Sequence, residues 1–475
     1  MDSDGGSAVY PMVPLRPMRA ALVAVATLLA GCGASIRKTP TVSVATPLVP
    51  SAAAGAIAFP RGYDAVSYDL DLSLLDPGGS IDGALVVELV VRRDGLSEID
   101  LDAIGLEILE ITERRAPRRF KLDGGHLRVV IAPPAAQGET RALAIRYRAR
   151  PSNGLRRLDD LVYTEYHTRE WMPCNFDPGD KARFELSLVV PMGWAVLANG
   201  NPFEPAAVTG GERLRWTLDI PHSTYLFGFA AGLLGKSTRA ASAGIPTIEV
   251  LASARTPSAV VTRVLDETPG MIQFFTEASG VPFPGGRYGV AFVGAGTAQE
   301  IATWSALGED FAAIWNADAK EDWLAAHELA HQWWGNAATC PTWGDFWIQE
   351  AFAVFMTAAY KERRWGRAVY EREREMNRAR YEAFRATGAD HALALGADAR
   401  SGQLSRKLVY GKGPRVLYAL REEVGESAFW SAVRAFTQAA VHDGSRTSEL
   451  RRAFERAAGR SLSIFDRAVY GDGPP

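Results

Sequence analysis

The spacing of apolar residues changes once along this chain, near Thr256, and that change limits what it can fold into. Before it, Tyr68, Leu70, Leu72 and Leu74 alternate with Asp69, Asp71 and Ser73, the pattern of a half-buried strand. Similar runs recur at 84–91, 127–131, 143–147, 184–190 and 214–220, split by turn signals such as Pro77-Gly78-Gly79 and Asp123-Gly124-Gly125. After it, apolar residues recur at helical spacing over 259–279, 321–334, 348–365, 368–387, 414–424, 428–440 and 447–458. The expected architecture is multidomain α+β: an all-β domain over 60–240, then a mainly helical domain over 241–475. No repeat of 20–50 residues is visible. The net charge of −3, from 52 basic and 55 acidic side chains, argues against a nucleic-acid binder that works by phosphate neutralisation.

The N-terminus reads as a targeting segment. Arg16 and Arg19 precede an apolar stretch over 20–30 that is too short to span a bilayer as a helix. Leu29-Ala30-Gly31-Cys32 closes it and resembles the bacterial lipoprotein lipobox, which implies lipidation of Cys32 and a membrane anchor. Residues 1–32 are then a lipoprotein signal peptide, and 33–59, rich in Ala, Val, Ser, Thr and Pro, a tether. Gly33 rather than Asp follows the cysteine, so the inner-membrane retention signal is absent. The expected location is the bacterial cell envelope, and in a Gram-negative cell the outer membrane facing the periplasm. Cys174 and Cys340 read as packed or paired thiols, not nucleophiles, because no activating partner is identifiable.

The chemistry concentrates at His327-Glu328-Leu329-Ala330-His331. One helical turn separates the two histidines, so both imidazoles project from one face. A catalytic zinc takes three protein ligands and keeps one open position, and two His with one Glu is a known set. Eighteen residues separate His331 from Glu350, which opens the next helical stretch after the turn signals Asn336, Pro341 and Gly344. His327, His331 and Glu350 are the expected ligands of one zinc ion per chain. Glu328 would then face the activated water as a general base.

These residues, extended through Gln332-Trp333-Trp334-Gly335-Asn336 and 343–353, resemble the zinc signature of the aminopeptidase N family of zinc metallopeptidases (gluzincins). Ala351 and Gln349 stand where that family usually has Gly and Asn. Arg169-Glu170-Trp171-Met172-Pro173-Cys174, Tyr225-Leu226-Phe227-Gly228-Phe229 and Val469-Tyr470-Gly471-Asp472-Gly473 extend the likeness from about residue 60 to the C-terminus. The resemblance implies a saddle-like β domain before a thermolysin-like zinc peptidase domain, and a short form lacking the C-terminal helical domain. It implies an aminopeptidase acting on peptide substrates. It also implies that Tyr410, in Tyr410-Gly411-Lys412-Gly413, donates to the developing oxyanion, while Lys412 is structural. Glu300 is the expected anchor for a substrate's α-ammonium, although the flanking Gly, Met and Asn of the family motif are replaced around it. The family's second, acidic or amide, amine anchor aligns with Val162 and Thr164 here, and Glu165 stands one residue off. Asp345 is expected to orient a zinc ligand. The tryptophans at 323, 333, 334, 343 and 347 are expected to wall the core beneath the signature. Two other readings stay open: a zinc endopeptidase or other hydrolase on the same scaffold, and a non-catalytic peptide-binding surface module.

Overall fold

A computed structural model describes residues 59–76, 78–396, 399–400 and 402–475. The expected signal peptide, the lipidated Cys32 and the tether up to residue 58 lie outside the described residues. Among the described residues no helix is long and apolar enough to cross a membrane.

The alternation of the N-terminal half becomes a broad sheet. Its centre is the strand Tyr63–Ser73, antiparallel to Ile81–Val91 on one side and parallel to Lys181–Val190 on the other. Tyr68, Leu70, Leu72 and Leu74 are all buried, while Asp69 stays exposed, as the period of two requires. The sheet continues through Thr140–Ala149 and Leu106–Glu113 on one flank and Gly211–Ser223 on the other. A three-stranded sheet of Leu96–Asp102, His126–Ala135 and Phe120–Asp123 accompanies it. A four-stranded sheet, Ala195–Ala198, Phe229–Gly232, Leu161–Thr164 and Leu155–Leu158, faces the second half.

The second half contains a five-stranded sheet that the periodicity did not announce. Gly235–Arg239, Thr247–Ala252, Arg287–Val293, Trp304–Gly308 and Ala298–Gln299 lie in that order. Its three inner strands run parallel and are buried on both faces, so they show no alternation. Among the described residues, eight helices run in chain order: α1 (Ser258–Ser279), α2 (Glu309–Ala317), α3 (Trp323–Ala330), α4 (Trp347–Trp365), α5 (Arg367–Arg385), α6 (Arg406–Val424), α7 (Glu426–Asp443) and α8 (Thr447–Ala458). Helix α2 went unread, and α6 begins eight residues before the stretch starting at Pro414.

Trp333, Trp334 and Trp347 are buried in the core of the second half, with Trp323 against it. Trp343 departs from the expectation. It packs into the core of the β domain, against Tyr166, Phe176 and Tyr225, because the loop before α4 reaches across to that domain. Cys174 and Cys340 are both free and buried. Burial pushes the Cys174 thiol up and the Cys340 thiol well up, which suits packing and not nucleophilic attack.

One buried group makes this fold acid-sensitive. His222 is buried, bonds through Nδ1 to the Ile220 carbonyl at 2.8 Å, and has its pKa lowered by burial from 6.5 to about 4. Between those values the unfolded chain binds the proton and the folded chain does not, so the contribution is whole above pH 6.5 and shrinks as pH falls. His222→Gln should therefore flatten the loss of stability between pH 7 and pH 4.5 by roughly 2–3 kcal/mol, read from urea midpoints at the two pH values. Equal acid sensitivity in both proteins would contradict this.

Candidate metal centre

Helix α3 is short and almost wholly buried, and it presents His327 and Glu328 before handing over to His331 at its end. The chain then leaves α-helical geometry. Trp334 (φ −104°, ψ 86°) and Gly335 (φ 140°, ψ −54°) break the helix expected through residue 334, within a wide turn over Gln332–Ala337. The φ of Gly335 is one that side chains rarely adopt, and a Cβ there would meet His331 Nδ1 at 3.1 Å and Gln349 Oε1 at 3.5 Å. The break turns the Trp334 carbonyl toward His331, whose Nδ1 donates to it at 3.0 Å. The Nε2 lone pair is thereby directed to the other side of the ring.

That side meets Glu350, in the first turn of α4. His327 Nε2 and His331 Nε2 are 3.2 Å apart, and each lies 3.4 Å from Glu350 Oε2. Three ligands about 2.0–2.1 Å from a tetrahedral zinc stand about 3.3–3.4 Å from one another. The triangle fits that requirement. Glu350 Oε2 is buried and has no hydrogen-bond donor of its own, which is how a metal-facing carboxylate oxygen stands. The three residues form one of two candidate metal-holding groups among the described residues; Glu300, Glu328 and His331 form the other, adjoining and sharing His331.

The charges agree with this geometry. Burial raises Glu328 well above the ordinary carboxyl range, and burial also raises Glu300. At Glu350 burial is outweighed by His331 and His327, which hold its carboxyl well below that range. At His331 burial is likewise outweighed, by Glu350 and then Glu300 and Glu328, and its pKa rises to about 10. Three buried carboxyl groups around two imidazoles make a site that a divalent cation would neutralise.

Two clamps position the remaining residues. The loop carrying Glu300 is held from the signature turn: Asn336 Nδ2 donates to the Glu300 carbonyl at 3.0 Å, Gln332 Nε2 to the Ile301 carbonyl at 3.1 Å, and Gln332 Oε1 accepts from Thr303 N at 2.9 Å. The β domain holds the same loop from the other side, with Asn199 Nδ2 donating to the Ala302 carbonyl at 2.7 Å and Gly200 N to Thr303 Oγ1 at 2.7 Å. Tyr225, from the β domain, donates to Gln349 Oε1 at 3.0 Å, beside Glu350.

Tyr410 lies on α6, half-buried, with its ring stacked on His327 at 6.0 Å between centroids. The reason α6 runs through Pro414 is nonlocal. Proline has no N–H to give the carbonyl four residues back, and Asn377 Nδ2 of α5 donates to the Tyr410 carbonyl instead, at 2.8 Å. Lys412 is buried among Asp390 Oδ1 (3.1 Å), the His391 carbonyl (2.7 Å) and the Gly471 carbonyl (3.3 Å), away from the metal triangle.

One expectation changes. Asp345 does not reach a ligand; its Oδ1 accepts from Thr447 N at 2.9 Å and Thr447 Oγ1 at 2.6 Å, capping α8. Thr164 is engaged with its own sheet, accepting from Phe229 N at 2.9 Å, and Val162 pairs with Ala231. Glu165 is bound to Arg156 at 2.8 Å. The sequence reading also passed over Arg406, four residues before Tyr410 on α6, although helical spacing places it on the same face.

The family description "Peptidase family M1 domain" matches residues 307–468. The probable aminopeptidase 2 of Sulfurisphaera tokodaii is 22% identical over 80% of this chain and 50% of its own length, and the aminopeptidase N of Streptomyces lividans 24% over 85% and 50%. The chain thus spans about half the length of the curated relatives it matches. A crystal structure of a mutant M1 zinc metallopeptidase from Deinococcus radiodurans, bound to a Tyr-Ser-Ala substrate, is similar with a TM-score of 0.74 and 25% identity, over 88% of this chain and 98% of the other.

Two substitutions separate what shapes the triangle from what merely surrounds it. Gly335→Ala should lower stability by about 1–3 kcal/mol and weaken zinc binding at least tenfold in a chelator competition, because it strains the turn and crowds His331. Asp345→Ala should cost about 1 kcal/mol in stability and leave zinc affinity within twofold. Zinc loss in the second variant, or none in the first, would reverse these assignments.

Residues 307–468 thus match the Peptidase family M1 domain, and over most of its length the chain is similar in sequence to aminopeptidases and in fold to M1 zinc metallopeptidases.

Proposed function

We propose that this chain is a zinc-dependent aminopeptidase that removes N-terminal residues from peptides. The carrying observation is the triangle of His327, His331 and Glu350, with spacings of 3.2–3.4 Å, beside the buried carboxyls of Glu328 and Glu300. His327, His331 and Glu350 would hold the ion. Zinc, when bound, supplies Lewis acidity toward water and the peptide carbonyl.

Glu328 takes a proton from the attacking water as its oxygen bonds to the carbonyl carbon. As the C–N bond breaks, Glu328 gives that proton to the leaving nitrogen. Burial suits it to both roles, because a raised pKa makes the carboxylate a stronger base. The Tyr410 hydroxyl, on the ring stacked against His327, donates to the oxyanion of the tetrahedral species. Glu300, clamped by Asn336 and Gln332 through its loop, receives the substrate's α-ammonium in a charge-assisted bond. The Tyr-Ser-Ala substrate bound by the Deinococcus structure supports short peptides as the substrate class. Lipid attachment at Cys32 would hold the enzyme at the bacterial envelope; the Leu29-Ala30-Gly31-Cys32 motif supports that part of the reading.

One observation favours endopeptidase action as a second reading. Thr164 and Glu165 are already engaged, so neither completes a second anchor for the amine. N-acetylated and free peptides separate the two: an aminopeptidase loses the acetylated substrate, an endopeptidase keeps it.

The proposed roles give distinct outcomes. Glu328→Gln should lower kcat by about 10²–10⁴ and Tyr410→Phe by about 10²–10³ on an aminoacyl fluorogenic substrate, with one zinc per chain retained in both. A chelator should abolish the wild-type activity and added zinc restore it. Peptide binding with no chelator-sensitive cleavage of any substrate would leave only a binding module.

A further inference from the structure

Arg406 is a cation placed where the peptidase chemistry described above does not use one. It opens α6 and lies one turn before Tyr410, on the face that carries Tyr410 toward His327. Its guanidinium is within electrostatic reach of Tyr410, Glu350, Glu300 and Tyr166, and also of Glu328. Yet it is exposed, and no described carboxylate stands in ion-pairing distance of it. Three arginines of α5 and α6 are paired: Arg374 with Glu422, Arg378 with Glu375 and Glu382, Arg421 with Glu362 and Glu426. Glu350, one of these carboxylates, is turned toward the imidazoles instead, its Oε2 lying 3.4 Å from both.

A substrate offers the missing partner. With its α-ammonium at Glu300 and its scissile carbonyl at Tyr410, a peptide continues beyond the scissile bond at about 3.3 Å per residue. One helical turn displaces Arg406 from Tyr410 by about 5–6 Å, the reach of one or two further residues. A guanidinium fork matches a carboxylate and offers nothing to an amide oxygen of comparable strength.

We propose that Arg406 is a specificity residue that binds a substrate carboxylate on the leaving-group side of the scissile bond. That carboxylate is either the C-terminus of a di- or tripeptide or an acidic side chain. This rests on the aminopeptidase reading, and the two can fail separately.

The test compares Ala-Ala with Ala-Ala amide, and Ala-Glu amide with Ala-Gln amide, in the wild type, Arg406→Gln and Arg406→Lys. The wild type should favour at least one carboxylate-bearing partner tenfold or more in kcat/KM. Arg406→Gln should erase that preference through KM, and Arg406→Lys should keep part of it. The pair that responds identifies the source of the carboxylate. Calorimetric Kd values for the same four peptides, in Glu328→Gln and in Glu328→Gln/Arg406→Gln, supply a readout that does not need turnover. If no protein cleaves any peptide, the aminopeptidase reading fails, while the Kd values still decide the role of Arg406. An unchanged preference in Arg406→Gln, or an equal loss for both members of each pair, overturns the proposal.

Discussion

The structure depends on keeping one negative and two imidazole groups pointed at a single position in its buried interior. His327 Nε2, His331 Nε2 and Glu350 Oε2 are drawn to 3.2–3.4 Å from one another, and all three residues are buried. Without compensation, grouping ionisable side chains this way is costly. The site offsets the cost by electrostatic pairing, visible in the raised His331 and depressed Glu350, and its ligand spacing fits a tetrahedral dication.

Much of the surrounding fold holds that triangle still. The turn at Gly335 aims the Trp334 carbonyl at His331 Nδ1, and Gln332 and Asn336 of the same turn pin the loop carrying Glu300. The β domain meets them from the opposite side through Asn199, Gly200 and Tyr225. Two domains therefore share the one loop that carries Glu300.

How much of this was legible in the chain depends on the range of each interaction. The strand around Tyr68 and the histidine pair of α3 were readable, because local period alone decides which face each residue occupies. Glu350 was readable because its spacing from His331 matches a known ligand set. The parallel strands over 247–308 were not, since burial on both faces erases alternation. The start of α6 was misplaced because Pro414 suggests a first turn, and the donor that relieves its missing N–H, Asn377, lies 33 residues away. Asp345 was assigned to the wrong partner for the same reason: its acceptor role toward Thr447 spans 102 residues. Arg406 was legible by helical spacing from Tyr410 but carries no motif to draw attention to it.

The most direct measurement of the central claim is zinc X-ray absorption on the purified protein. The account predicts one zinc per chain, bound by two imidazole nitrogens and a carboxylate oxygen at about 2.0–2.2 Å, with a fourth light-atom ligand. Sulfur at about 2.3 Å, a spectrum without imidazole scattering, or failure to retain zinc at all would contradict it.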